Sequence, residues 1–229
     1  MNTKEKTNPN KTARIAGFLY LLLVPLGVLG IIYVPSTLIV PGDVAATAGN
    51  IMANEALFRL SIVSALLVQV VNIFVVLFLY KLLKPVNKNM ARLMVIFILL
   101  GAPIAMLNEL NQAAALLLLN SADPLSALTT MFLDLHQYGI QIAGIFWGLW
   151  LFPMGYLVFK SNYIPKIIGV LLMIGCFGYL VDSFVFFLFP DFGVAISQFT
   201  FIGELLLPLW LVIKGVNVEQ WEKSVLESV

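Results

Sequence analysis

The chain has 229 residues, 61% of them hydrophobic and only 11% charged, with a mean hydropathy of +0.99. A soluble domain of this size is nearer half apolar and a quarter charged, so a water-soluble globule is excluded. A net charge of +1 excludes a nucleic-acid partner held by bulk electrostatics, and one cysteine with one histidine excludes both an intramolecular disulfide and a Cys/His-rich zinc site built from a single chain.

A helix needs about 20 apolar residues to cross the hydrocarbon core of a bilayer. By that measure the chain is an all-α integral membrane protein, a bundle of six transmembrane helices with kinked helices and short loops. The spans fall at about 13–34, 57–83, 91–119, 129–159, 166–189 and 195–214, between an N-terminal tail at 1–12 and a C-terminal tail at 216–229. The first apolar run, Ile15 to Val34, is longer than the core of a cleavable signal peptide and reads as a retained helix. In the first outer loop Asp43 reads as the N-cap of an alanine-rich segment, Val44 to Asn54, too short to span. Asp123-Pro124 reads as an N-cap with proline at the first helical position, and Pro190-Asp191-Phe192-Gly193 as a tight turn.

Four spans carry interior prolines, Pro25, Pro103, Pro153 and Pro208, each of which removes a backbone donor. Gly17, Gly27 and Gly30 in the first span, and Gly169, Gly175 and Gly178 in the fifth, supply small faces for close helix contact. Twelve of the thirteen basic residues fall before the first span, after the sixth, or in the loops after the second and fourth; Arg59 is the exception. The positive-inside rule then predicts that this face and both termini are cytoplasmic.

Counting 1.5 Å per residue from the basic end of each helix gives depth. Glu109 lies roughly 26 Å up, Asp182 roughly 24 Å, Arg59 roughly 33 Å, and Asp134 with His136 roughly 36–39 Å. Asn108, Asn111, Gln112 and Ala115 form one stripe beside Glu109, and Gly175, Gly178 and Asp182 share a face that lets a neighbouring backbone approach the carboxylate. Asp134, Gln137, Tyr138 and Gln141 share another face, with His136 about 200° away from Asp134, so a regular helix cannot aim both at one point. Ionisable residues in membrane segments are functional candidates by default. The candidate ligand site is therefore an outer polar cluster of Arg59, Asn108, Glu109, Gln112, Asp134, His136, Tyr138 and Asp182, with Glu204 nearer the midplane.

Each candidate has a plainer reading. Arg59 pairs with Glu55 four residues earlier and snorkels to the interface, or it pairs with Glu109 or Asp182 from another helix. The amides, with Gln69 and Asn72, act as interhelical glue, and Asp134 with His136 forms the wet entrance of a helix. Glu204 has no basic residue at its depth, which predicts a neutral carboxyl donating to a carbonyl or to a side chain such as Asn72.

Several stretches together carry a family resemblance. They include Ala13-Arg14-Ile15-Ala16-Gly17 with Tyr20, Val40-Pro41-Gly42-Asp43, Leu57-Phe58-Arg59, and Leu79-Tyr80-Lys81-Leu82-Leu83-Lys84-Pro85. The C-terminal half adds Leu133-Asp134-Leu135-His136 with Tyr138-Gly139, Tyr163-Ile164-Pro165-Lys166, Gly178-Tyr179-Leu180-Val181-Asp182, Gly203-Glu204-Leu205 and Trp210 to Val216. On these the chain resembles the bacterial multi-pass membrane proteins catalogued as domain of unknown function 4386. The resemblance implies a protein of the bacterial plasma membrane and supplies no substrate, cofactor or catalytic role. Binding or transport of a small molecule or lipid ranks first as an expectation, then a structural or regulatory membrane module, then a membrane-embedded enzyme using Glu109, Asp134, His136 and Asp182. Membrane lipids are the expected partners; no nucleic acid, metal or cofactor is expected.

Overall fold

Apolar side chains on unbroken helical backbone leave no peptide group for lipid to strand, and the chain takes that solution throughout. The computed structural model describes residues 8–121, 127–189 and 193–227, and every regular element among them is helical. The expected caps at Asp123-Pro124 and the turn at 190–192 lie outside the described residues, as do Lys4 and Lys6.

Helix α1 (Pro9–Gly27) starts on Asn8, whose side chain accepts from the Asn10 and Lys11 amides, with proline at the first helical position. Three residues beyond Pro25 the backbone widens into a π-helix (Val28–Tyr33) and then returns to α2 (Val34–Leu38). Ser64 from α4 (Glu55–Leu83) donates to the Leu26 carbonyl beside this irregular stretch. Gly30 lies directly against the α4 backbone, where a Cβ would meet Ala65 N at 2.8 Å and Ser61 O at 2.9 Å. Asp43 caps α3 (Val44–Ala53) through the Ala46 amide at 2.8 Å. Then follow α4 (Glu55–Leu83), α5 (Lys88–Leu119), α6 (Ala127–Leu149), α7 (Leu151–Ser161), α8 (Lys166–Leu188), α9 (Ser197–Thr200), α10 (Ile202–Ile213) and α11 (Val218–Glu227).

Five helices are long and apolar enough to cross a membrane: Pro9–Leu38, Glu55–Leu83, Lys88–Leu119, Ala127–Ser161 and Lys166–Leu188. A sixth candidate is Ser197–Ile213, which is followed by α11 after a bend of 105°. The fourth span, Ala127–Ser161, runs through one irregular turn at Trp150, three residues before Pro153, where the Trp150 amide still donates to the Phe146 carbonyl (3.1 Å) and its own carbonyl accepts from the Met154 amide (3.3 Å). The C-terminal segment is not a featureless tail, because α11 folds back onto the bundle.

α5 packs along α6, α1 along α4 and α10, and α7 along α8. Glycine permits the closest of these approaches: Gly155 and Gly169 face each other so tightly that a Cβ on either would meet the other's carbonyl oxygen at 2.6 Å. One end of the bundle gathers the start of α1, the end of α4, the α7–α8 connection and the end of α10. There the Leu82 carbonyl accepts from both Tyr163 Oη (2.9 Å) and Trp221 Nε1 (3.0 Å), and Asn10 Oδ1 accepts from the Val216 amide (2.8 Å). Burial pushes the Tyr163 hydroxyl well up from its ordinary value, so it stays a donor. Every described lysine and arginine except Arg59 lies towards this end. At the other end α3 closes a small apolar core of Val34, Ile51, Phe58, Leu119 and their neighbours.

Candidate functional site

The polar stripe of α5 lies between the main core and this smaller one. Ala91, Met94 and Ile98 belong to the first, and Ala115, Leu116 and Leu119 to the second. Asn108, Glu109 and Gln112 are buried on the face that meets α6, and His136 is the buried residue that α6 presents to them. Glu109 Oε1 lies 3.1 Å from His136 Nε2, and Gln112 Nε2 lies 2.9 Å from the same ring nitrogen. Asn108 Nδ2 donates to the His136 carbonyl at 2.9 Å and accepts from Asn111 Nδ2 through its own oxygen. Nε2 has either one proton or one lone pair, so it donates to Glu109 or accepts from the Gln112 amide, and the ring tautomer decides which of the two contacts is the hydrogen bond. This arrangement joins α5 to α6, while Glu109 Oε2 and Gln112 Oε1 stay buried without a partner among the described residues.

Asp134 and Tyr138 are not part of it. Both are exposed on α6, beside Thr130 and Met131 in a shallow surface depression, and Tyr138 meets Phe186 edge-on and Phe187 at a tilt. The 200° separation from His136 explains the division. Arg59 is also outside: its guanidinium is exposed and pairs with Glu55 on the same helix, Nη2 to Oε1 at 2.6 Å. Depth counting places Arg59 and Glu109 in the same half of the bilayer, but rotation about α4 turns Arg59 away to Glu55.

Asp182 has a structural employment. Its two carboxylate oxygens accept from the Ile196 (2.5 Å) and Ser197 (2.8 Å) amides that lead into α9. The approach is permitted by Gly178, where a Cβ would land on the Thr200 hydroxyl. This seats the short α9 segment on α8.

Below it lies a cavity of about 510 Å³ bounded by α1, the π-helix, α4, α6, α8, α9 and α10. Glu204, on the first turn of α10, stands in its wall. Tyr20 Oη on α1 donates to Glu204 Oε2 at 3.2 Å, and Tyr179 on α8 lines the same cavity. Glu204 thus receives the Tyr20 phenol and makes no hydrogen bond to Asn72. The face of α10 that carries it turns towards α1 and α8, whose tyrosines arrive before α4 does. Glu204 Oε1 and Asn72 Oδ1 are both buried without a hydrogen-bond partner among the described residues. Both residues line the cavity. Trp147 and Trp150 add rings from α6 and the irregular turn after it, and Trp150 lies 5.7 Å from Tyr20 between ring centroids. The rim is apolar and exposed: Val24, Val28, Ile32 and Phe201.

Tyr20, Trp147, Trp150 and Tyr179 were not among the residues that sequence reasoning selects. Aromatic residues in an apolar helix look the same whether they face lipid or a cavity. A signal was present, since Tyr20 and Tyr179 lie roughly 9 and 20 Å from their basic helix ends and bracket the roughly 15 Å of Glu204.

Comparison with known proteins agrees with the membrane architecture. A family model described as domain of unknown function (DUF4386) matches residues 15–215. An uncharacterized protein of Archaeoglobus fulgidus is 36% identical over 165 residues, which cover 70% of this chain and 86% of that one. No solved structure matches.

Proposed function

The chain belongs to the DUF4386 family of unassigned activity, and from that premise we propose that it is a membrane protein that binds a small molecule or lipid inside the helix bundle. The site is the cavity walled by Glu204, Asn72 and the aromatic rings, not the outer polar cluster. One observation carries this reading: Glu204 and Asn72 line the same cavity, and each keeps one buried oxygen, Oε1 and Oδ1, without a partner among the described residues. Each such orphan costs roughly 1–3 kcal/mol unless something else satisfies it. A ligand with donors at one end and an apolar body would do so. The volume of about 510 Å³ is in the range of small-molecule sites, and the exposed apolar rim suits entry from the lipid. The Glu109–His136 pair supports a locking role instead, since neither side chain lines this cavity.

The protein resides in the cell membrane on this reading, with the basic end and both termini in the cytoplasm. Gly27 lines the cavity, and a Cβ built there meets nothing within 4 Å. Gly27→Trp should therefore fill the space without disturbing a helix contact. Native mass spectrometry of protein extracted from its own membranes is expected to show a bound adduct in wild type that Gly27→Trp loses. Identical spectra, free of adduct in both, would overturn the proposal.

A further inference from the structure

The wall of this cavity is unbalanced in charge. Among the described residues two acids border it, Asp182 and Glu204, and no lysine, arginine or histidine does. The Asp182 carboxylate is already occupied by two backbone amides, one on each oxygen. Glu204 differs: one oxygen receives the Tyr20 hydroxyl, and the other is buried and unpartnered. The Tyr20 phenol suits a carboxylate acceptor once a bound cation balances its charge. A buried carboxylate without a cation is costly, and the described residues of the wall supply no cation.

Around it stand four aromatic side chains, Tyr20, Trp147, Trp150 and Tyr179. Trp147 and Trp150 are three residues apart and share one helix face. Rings of this kind attract an alkylated ammonium through their negative faces, and such a group needs no hydrogen-bond acceptor of its own. The carboxylate repels an anion. A polyhydroxylated neutral ligand would need more donors and acceptors than this mainly apolar wall provides.

We infer that the ligand of this cavity is an amphipathic organic cation, an amine or quaternary ammonium on an apolar body, held between Glu204 and the aromatic rings. This rests on the reading of the cavity as a ligand site. The exposed apolar rim of Val28, Ile32 and Phe201 admits such a molecule from the membrane, where its apolar part already partitions.

The test compares two probes of equal shape, benzyltrimethylammonium and its uncharged carbon isostere neopentylbenzene, by quenching of intrinsic tryptophan fluorescence in lipid nanodiscs. Wild type should bind the cation at least tenfold more tightly than the isostere. Glu204→Gln should lose most of that preference while still binding the isostere, and Trp147→Leu, which keeps the carboxylate, should weaken the cation several-fold. Gly27→Trp should bind neither. Equal affinity of wild type for the two probes would overturn the cation inference and leave the cavity reading standing. Probe responses that Gly27→Trp does not change would overturn both.

Discussion

Removing one member of the Glu109–His136 pair would strand the other at 6% side-chain exposure inside a membrane bundle. Loss of one partner from a buried pair costs about 3 kcal/mol or more, while an exposed pair contributes about 0–1 kcal/mol. Glu109→Leu and His136→Leu should each lower the unfolding free energy by that larger amount, and Arg59→Leu should leave it nearly unchanged. The double variant Glu109→Leu/His136→Leu should recover part of the loss, because neither polar group is then left alone. Unfolding titrations in mixed micelles check all four; equal losses for Arg59→Leu and His136→Leu would overturn the assignment. At this scale the sequence was informative about rotation within one helix and silent about rotation between helices. Helical periodicity separates His136 from Asp134 without any structure. Nothing in periodicity tells which way α4 turns Arg59, or that Glu204 meets Tyr20 in place of Asn72.

Between elements, the contact of α5 with α6 depends on a missing side chain. A Cβ at Gly139 would land on the Asn108 amide, the group that donates to the His136 carbonyl. Gly139→Ala must displace that amide or part the helices, and overpacking of this sort costs roughly 1–3 kcal/mol. Gly49→Ala in α3 meets open space, and alanine is the better helix former by up to about 1 kcal/mol. Thermal denaturation should therefore show Gly139→Ala melting well below wild type and Gly49→Ala at or slightly above it; similar melting temperatures would count against the described packing. The spans, the Asp43 cap and the small face of α8 are legible from apolar length, cap chemistry and glycine spacing. The π-helix after Pro25 and the irregular turn at Trp150 are not. Proline announces a disturbance, but neighbouring groups such as Ser64 decide how the backbone absorbs it.

For the molecule as a whole, the gathering of basic residues at one end predicts a cytoplasmic orientation for that end. Lys88 is exposed at that end, and Ala45 is exposed beside α3 at the other. In a Cys176→Ala background, a membrane-impermeant thiol reagent applied to intact cells should modify Ala45→Cys and spare Lys88→Cys. The reverse pattern would invert the bundle and with it the compartment that faces each loop.

The bond from the Val216 amide to Asn10 joins residues 206 positions apart, and Trp221 reaches Leu82 across 139. Both closures use segments that follow the sixth candidate span. The first five spans are therefore synthesised before α1 can receive its contacts from α10, and before the end of α4 can receive Trp221. Until then Gly17 has no Pro208 or Leu211 to lie against, and its face is open to lipid or to the insertion machinery. Nascent chains that stop short of the sixth span should consequently be recognised as unfinished and cleared by membrane quality control, instead of persisting as smaller bundles.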